Sequence, residues 1–127
     1  MGIVLVALAL GAGWFAMHRQ DGRSAEVRVR VPKLSAAAQS GRLPFDRSCS
    51  VCHGVHAAGS AKGPPLAHRA YHPGLHGDSA FDLAVRRGVR AHHWSFGDMP
   101  PQPDVTATEL ADITRYVREL QRANGIE

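Results

Sequence analysis

Cysteine and methionine are scarce in this 127-residue chain, which has two of the first and three of the second, and aromatic residues make up only 6% of it. The two cysteines, Cys49 and Cys52, have two residues between them. A disulfide across so short a span is strained, so an ordinary bridge is a poor use for them. No second Cys/His pair accompanies them, and adjacent Cys and His ligands fit the tetrahedron of a structural zinc site badly. No strand-like run follows Cys52, which removes the βαβ context of a thioredoxin-like redox pair. Charge of one sign is also missing where it would matter. From Gly41 onward ten basic residues face nine acidic ones, for a net +1, so most of the formal +4 lies between Arg19 and Lys33, which carry +3. Nucleic-acid binding would need its arginines on the folded part, and that class is set aside. Internal repeats and low-complexity tracts are absent, and the length suits one small domain with an appendage.

What is present is Cys49-Ser50-Val51-Cys52-His53, two cysteines three apart with a histidine directly after the second. This is the attachment signature of c-type haem. Two thiols at this spacing can each add to a vinyl group on one edge of the ring, and the adjacent imidazole of His53 is then held beneath the iron as its proximal ligand. One covalently attached haem c is the cofactor expected.

The amino-terminal segment differs in character from the rest. Met1 to Met17 carries no charged side chain and ends in Trp14-Phe15, an aromatic pair suited to a membrane interface, before His18-Arg19. It is short for a spanning helix, yet it lacks the positive n-region of a secretory signal and offers only Gly11-Ala12-Gly13 as a cleavage site. Residues 1–17 are read as a retained membrane anchor, with an uncleaved or cleaved signal peptide as the alternative. Residues 18–34 then form a basic polar linker, and 35–127 the folded domain. The stretch Val27-Arg28-Val29-Arg30-Val31 alternates like an edge strand, but Pro32 stops it and no partner strand is evident, so a tether is expected.

The domain itself reads as all-α. Ser35 is a candidate N-cap for a helix running towards Cys49, in which Pro44 predicts a kink or a late start. Glycine, proline and histidine dominate from Gly54 to Gly77, which indicates loop. Asp78-Ser79 can cap a helix from Ala80 to Arg87, with Asp82 completing a capping-box-like pattern and Gly88 ending it. Pro100, Pro101 and Pro103 forbid a long helix in the next loop. Thr106 or Thr108 caps a last helix to about Ala123, with Leu110, Ile113, Tyr116, Val117 and Leu120 on one face.

In this order the features resemble a mono-haem class I cytochrome c, a family of small helical domains wrapped around one haem. The resemblance covers about Ser35 to Gly125. It rests on Cys49 to His53, on Gly63-Pro64-Pro65-Leu66, on Met99-Pro100 and on the terminal helix with Tyr116. It implies that the Pro64 carbonyl accepts a hydrogen bond from His53, that Leu66 belongs to the same pocket segment, and that Met99 is the distal ligand. Since Met1 and Met17 lie in the anchor, Met99 is the only methionine in the domain. The resemblance also places Tyr116 across the first helix near Gly41 and Phe45. Trp94 and Phe96 are read as lining the haem pocket rather than docking a partner.

Histidine is abundant: His68, His72 and His76 are evenly spaced, and His92-His93 precede Trp94. Pro73 and Gly74 break any helix that would align the first three, so exposed or haem-rim histidines are expected over a second copper or zinc site. One of them in place of Met99 would lower the reduction potential.

Electron transfer, without enzymatic activity, is the function these expectations imply. The partners would be membrane-bound redox proteins, met at the rim that carries Cys49 and Cys52, with little salt dependence because that rim has few charges. By resemblance the domain would lie on the extracytoplasmic, periplasmic face of the inner membrane, held by the anchor, or be soluble there after cleavage. That orientation puts the basic flank outside, against the usual positive-inside bias. The alternatives are an electron-entry subunit of a larger membrane oxidoreductase complex and a haem-based sensor or peroxidase.

Overall fold

The computed structural model describes residues 25–127, so the expected anchor and residues 18–24 of the linker lie outside the described residues. Among the described residues no helix is long and apolar enough to cross a membrane. Four helices form the frame: α1 Ala36–Ser48, α2 Ser50–His53, α3 Asp78–Arg87 and α4 Ala107–Ala123. Single 3-10 turns at Val55–Ala57 and Arg69–Tyr71 punctuate the loop between α2 and α3. Among the described residues there is no β-strand, only an isolated antiparallel bridge between Val89 and Met99.

The helix ends follow from their caps. Ser35 accepts from the Ala38 N–H and starts α1. Thr106 starts α4 through a complete capping box, its hydroxyl accepting from the Glu109 N–H while the Glu109 carboxylate accepts from the Thr106 N–H. Two expectations are corrected. The Pro44 late start does not occur: α1 begins at Ala36 and runs unbroken past the proline. The hydrogen bond that Pro44 forgoes is outweighed by packing, because Ala38, Gly41, Pro44 and Phe45 are all buried on this helix. Helix α3 starts at Asp78 rather than Ala80, with Gly77 as its N-cap and no side-chain cap. Asp78 is drawn instead to Arg118 and Asp82 to Arg86.

The core sits where α1 crosses α4. Phe45 and Tyr116, both fully buried, meet edge to face at 5.3 Å, and Ile113, Val117 and Leu120 complete the apolar face of α4. Gly41 permits the crossing. A Cβ on it would stand 1.9 Å from the Asp112 carbonyl oxygen, so only glycine lets the two backbones approach this closely.

Residues 25–34, the described part of the expected linker, lie along the domain. Val29 and Leu34 pack against the core. Arg30 exchanges backbone hydrogen bonds with the Asn124 side chain and donates its guanidinium to the Ala123 carbonyl, which closes the C-terminal end of α4.

Candidate cofactor-binding cleft

One cleft opens between the α1–α4 frame and the irregular wall formed by residues 63–99, with a cavity volume of about 160 Å³. Among its lining residues there is no Asp, Glu, Lys or Arg. It brings together Cys49, His53, Pro64, Leu66, Trp94, Phe96 and Met99, which are sequence-predicted site residues from three separate stretches. Cys52 is half-buried and does not line the cleft itself, standing one residue before His53.

Each functional group is positioned by its local fold. The short helix α2 begins where α1 ends, so Cys49 and His53 fall one turn apart, and the His53 N–H bonds to the Cys49 carbonyl at 2.9 Å. His53 is 9% exposed, and its Nδ1 donates to the Pro64 carbonyl at 2.9 Å. A carbonyl can only accept, so the proton is fixed on Nδ1 and the Nε2 lone pair is left free as a ligand. Burial holds the His53 pKa below its ordinary value, with the Pro64 hydrogen bond acting in the opposite direction. Burial, and after it the neighbouring Cys52, push the Cys49 thiol up to about 11. Cys49 and Cys52 are both free thiols.

Met99 is held by its backbone. Its N–H donates to the Val89 carbonyl and its carbonyl accepts from the Val89 N–H, both at 2.9 Å. Val89 follows Gly88, the C-cap of α3, whose φ of 75° turns the chain back towards Met99. A Cβ on Gly88 would lie 2.4 Å from the Met99 carbonyl oxygen. The sequence marks Gly88 only as a helix stop; its second role, setting the height of Met99, needs the pairing across ten residues.

Two residues that sequence reasoning missed hold the wall in place. Arg118 is 7% exposed, and its guanidinium donates to Asp78, to the carbonyls of Tyr71 and His76, and to Gln121 Oε1. Gln121, fully buried, donates to the carbonyls of Leu66 at 2.9 Å and Tyr71 at 3.1 Å. The wall segment from Leu66 to Asp78 thus hangs from one face of α4. A signal was available: two polar residues three apart sit on a helix otherwise read as an apolar stripe. A third missed contact joins His56 Nδ1 to the Tyr116 hydroxyl at 2.9 Å.

The cleft suits a broad apolar group that carries polar arms. Trp94 Nε1 and His76 Nδ1 are buried there without a hydrogen-bond partner, and buried polar groups of this kind are few in folded proteins. A haem fits both features. Its ring would lie against Leu66, Phe81, Val85 and Ile113, and its carboxylates would give the two orphaned nitrogens their partners. Cys49 and Cys52 supply the thiols, and the free nitrogen of His53 and the thioether of Met99 are the metal donors.

The family model described as Cytochrome c matches residues 38–121, more than half of the chain. No curated protein and no solved structure matches it.

Proposed function

Because this chain belongs to the cytochrome c family, whose members bind haem c covalently and typically carry electrons rather than act as enzymes, we propose that it is an electron carrier with His53 and Met99 as axial ligands. When bound, the haem iron supplies a one-electron Fe(II)/Fe(III) couple. The chain's own residues do the rest. Pro64 orients His53, Val89 fixes the backbone of Met99, and Trp94 and Phe96 help wall the cleft against water. With both donors held by the backbone, their positions change little between oxidation states, which keeps reorganisation small. A thioether in the sixth position also denies small molecules access and raises the potential relative to a second histidine.

The observation that carries this reading is the presence of Met99 in the same cleft as Cys49 and His53, with both of its backbone hydrogen bonds made to one residue. The optical spectrum of the oxidised full-length haem-loaded protein tests it. Met99→Ala should abolish the long-wavelength sulfur-to-iron charge-transfer band, whereas an unchanged spectrum would pass the sixth position to another residue.

The same reading includes a docking rim. Val51 and Val55, 62% and 68% exposed, flank Cys52 and His53 and offer apolar contact beside the cofactor edge. Transient association with membrane-bound redox partners at this rim would depend weakly on ionic strength. The extracytoplasmic location and the anchor rest on the haem-attachment motif and on residues 1–17.

A further inference from the structure

The evenly spaced histidines separate in the fold. His68 Nδ1 accepts from the Ala70 N–H and His72 Nδ1 from the Gly74 N–H, so each is tied to its own turn. His76 instead meets His92 and His93, sixteen and seventeen residues further on. The three imidazoles offer one nitrogen each, and these atoms all lie within 4.8 Å of one another. We propose that His76, His92 and His93 form a second metal site, for a divalent transition-metal ion of the zinc or copper class, at the rim of the cofactor cleft.

The geometry argues for it in three ways. First, the Nε2 atoms of His76 and His93 are 3.4 Å apart, long for a hydrogen bond. Two nitrogens bound to one tetrahedral zinc at about 2.0–2.1 Å lie about 3.3–3.4 Å from each other, so this pair already has the separation that shared ligation requires. Second, His92 Nδ1 donates to the Arg90 carbonyl at 2.8 Å, which fixes its proton and leaves Nε2 free. Metal-binding histidines are oriented in this way by their other nitrogen. Third, the backbone on both sides is pinned. The His76 carbonyl accepts from the Arg118 guanidinium, and the Ala91 N–H donates to Asp98 Oδ1 at 2.8 Å to close the loop that carries His92 and His93.

His92 and His93 are exposed, so small side-chain rotations bring their nitrogens together around an ion without disturbing the core. Three neutral imidazoles select zinc, copper or nickel over calcium or magnesium, which want oxygen. A fourth position stays open to water. Ligation through His76 Nε2 places the remaining proton on Nδ1, the atom that is buried and unpartnered in the cleft. The site rests on the proposed function in leaving all three histidines free of the iron.

Zinc ion alone, titrated by calorimetry into the reduced full-length haem-loaded protein, tests the proposal. One equivalent should bind with the haem spectrum unchanged. His92→Gln and His93→Gln should each weaken binding by on the order of tenfold or more, while His72→Gln, outside the cluster, should leave it intact. Both altered positions are exposed, so helix content by circular dichroism should match the parent and exclude unfolding as the cause. Absence of one-to-one binding, equal weakening by His72→Gln, or a zinc-induced change in the haem spectrum would overturn the assignment.

Discussion

The α1–α4 crossing and the cleft wall of residues 63–99 are built on different principles. The crossing is dry and interlocked: Phe45, Tyr116, Val117 and Leu120 are fully buried, and Gly41 brings the backbones into contact. The wall has little regular structure of its own beyond α3 and is held by hydrogen bonds reaching out from α4, through Arg118 and Gln121, and by the Val89–Met99 pairing. Apolar contact tolerates no added atoms, whereas a wall hung from a few polar atoms tolerates none removed. The frame therefore sets stability and the wall sets where the donors stand.

The sharpest way to break that division is at the crossing. Gly41→Ala puts a methyl group against the Asp112 carbonyl and should cost at least about 3 kcal/mol in denaturant unfolding, since backbone cannot yield as a side chain can. Arg118→Met should come next. It fills the volume but leaves the His76 carbonyl and the Gln121 amide oxygen without their donor and the Tyr71 carbonyl with Gln121 alone, at a cost of about 2–3 kcal/mol. Gly88→Ala should lose about 1–2 kcal/mol through its left-handed backbone alone, and because it also presses on the Met99 carbonyl it should shift that residue and weaken the sulfur-to-iron band. A wall variant that costs stability but spares the band would undo the distinction.

The smallest effect belongs to the frame's surface. Arg47, then the Thr106 N–H and hydroxyl, hold the Glu109 carboxyl at about 2, below its ordinary 4.5. Its contribution is complete above pH 4.5 and is lost as pH falls through about 2. Glu109→Gln should lower stability by a small constant amount above pH 4.5 and converge on the parent as pH falls towards about 2, which flattens the acid limb over that window.

The same division explains what could be read from the sequence. Periodicity revealed α4 and its bounds, because an apolar face repeats every three to four residues, and the Cys49–His53 spacing is chemistry written locally. Pro44 misled because a single lost hydrogen bond is visible in sequence and the packing that offsets it is not. Trp94, Phe96 and Met99 are expected from the sequence in one pocket and line one cleft, but what holds that cleft together is not legible there. For Met99 that support is the pairing with Val89 after Gly88, and for Leu66, Tyr71 and His76 it is Arg118 and Gln121, each acting across a distance in the chain that no local pattern encodes. The meeting of His76 with His92 and His93 was hidden for the same reason, since the spacing of His68, His72 and His76 pointed to a grouping that Pro73 and Gly74 dissolve.

The account turns on a closed sixth position at the iron. Carbon monoxide added to the reduced full-length haem-loaded protein measures this directly: no fast binding is predicted for the parent and rapid binding for Met99→Ala, whereas rapid binding to the parent would contradict it.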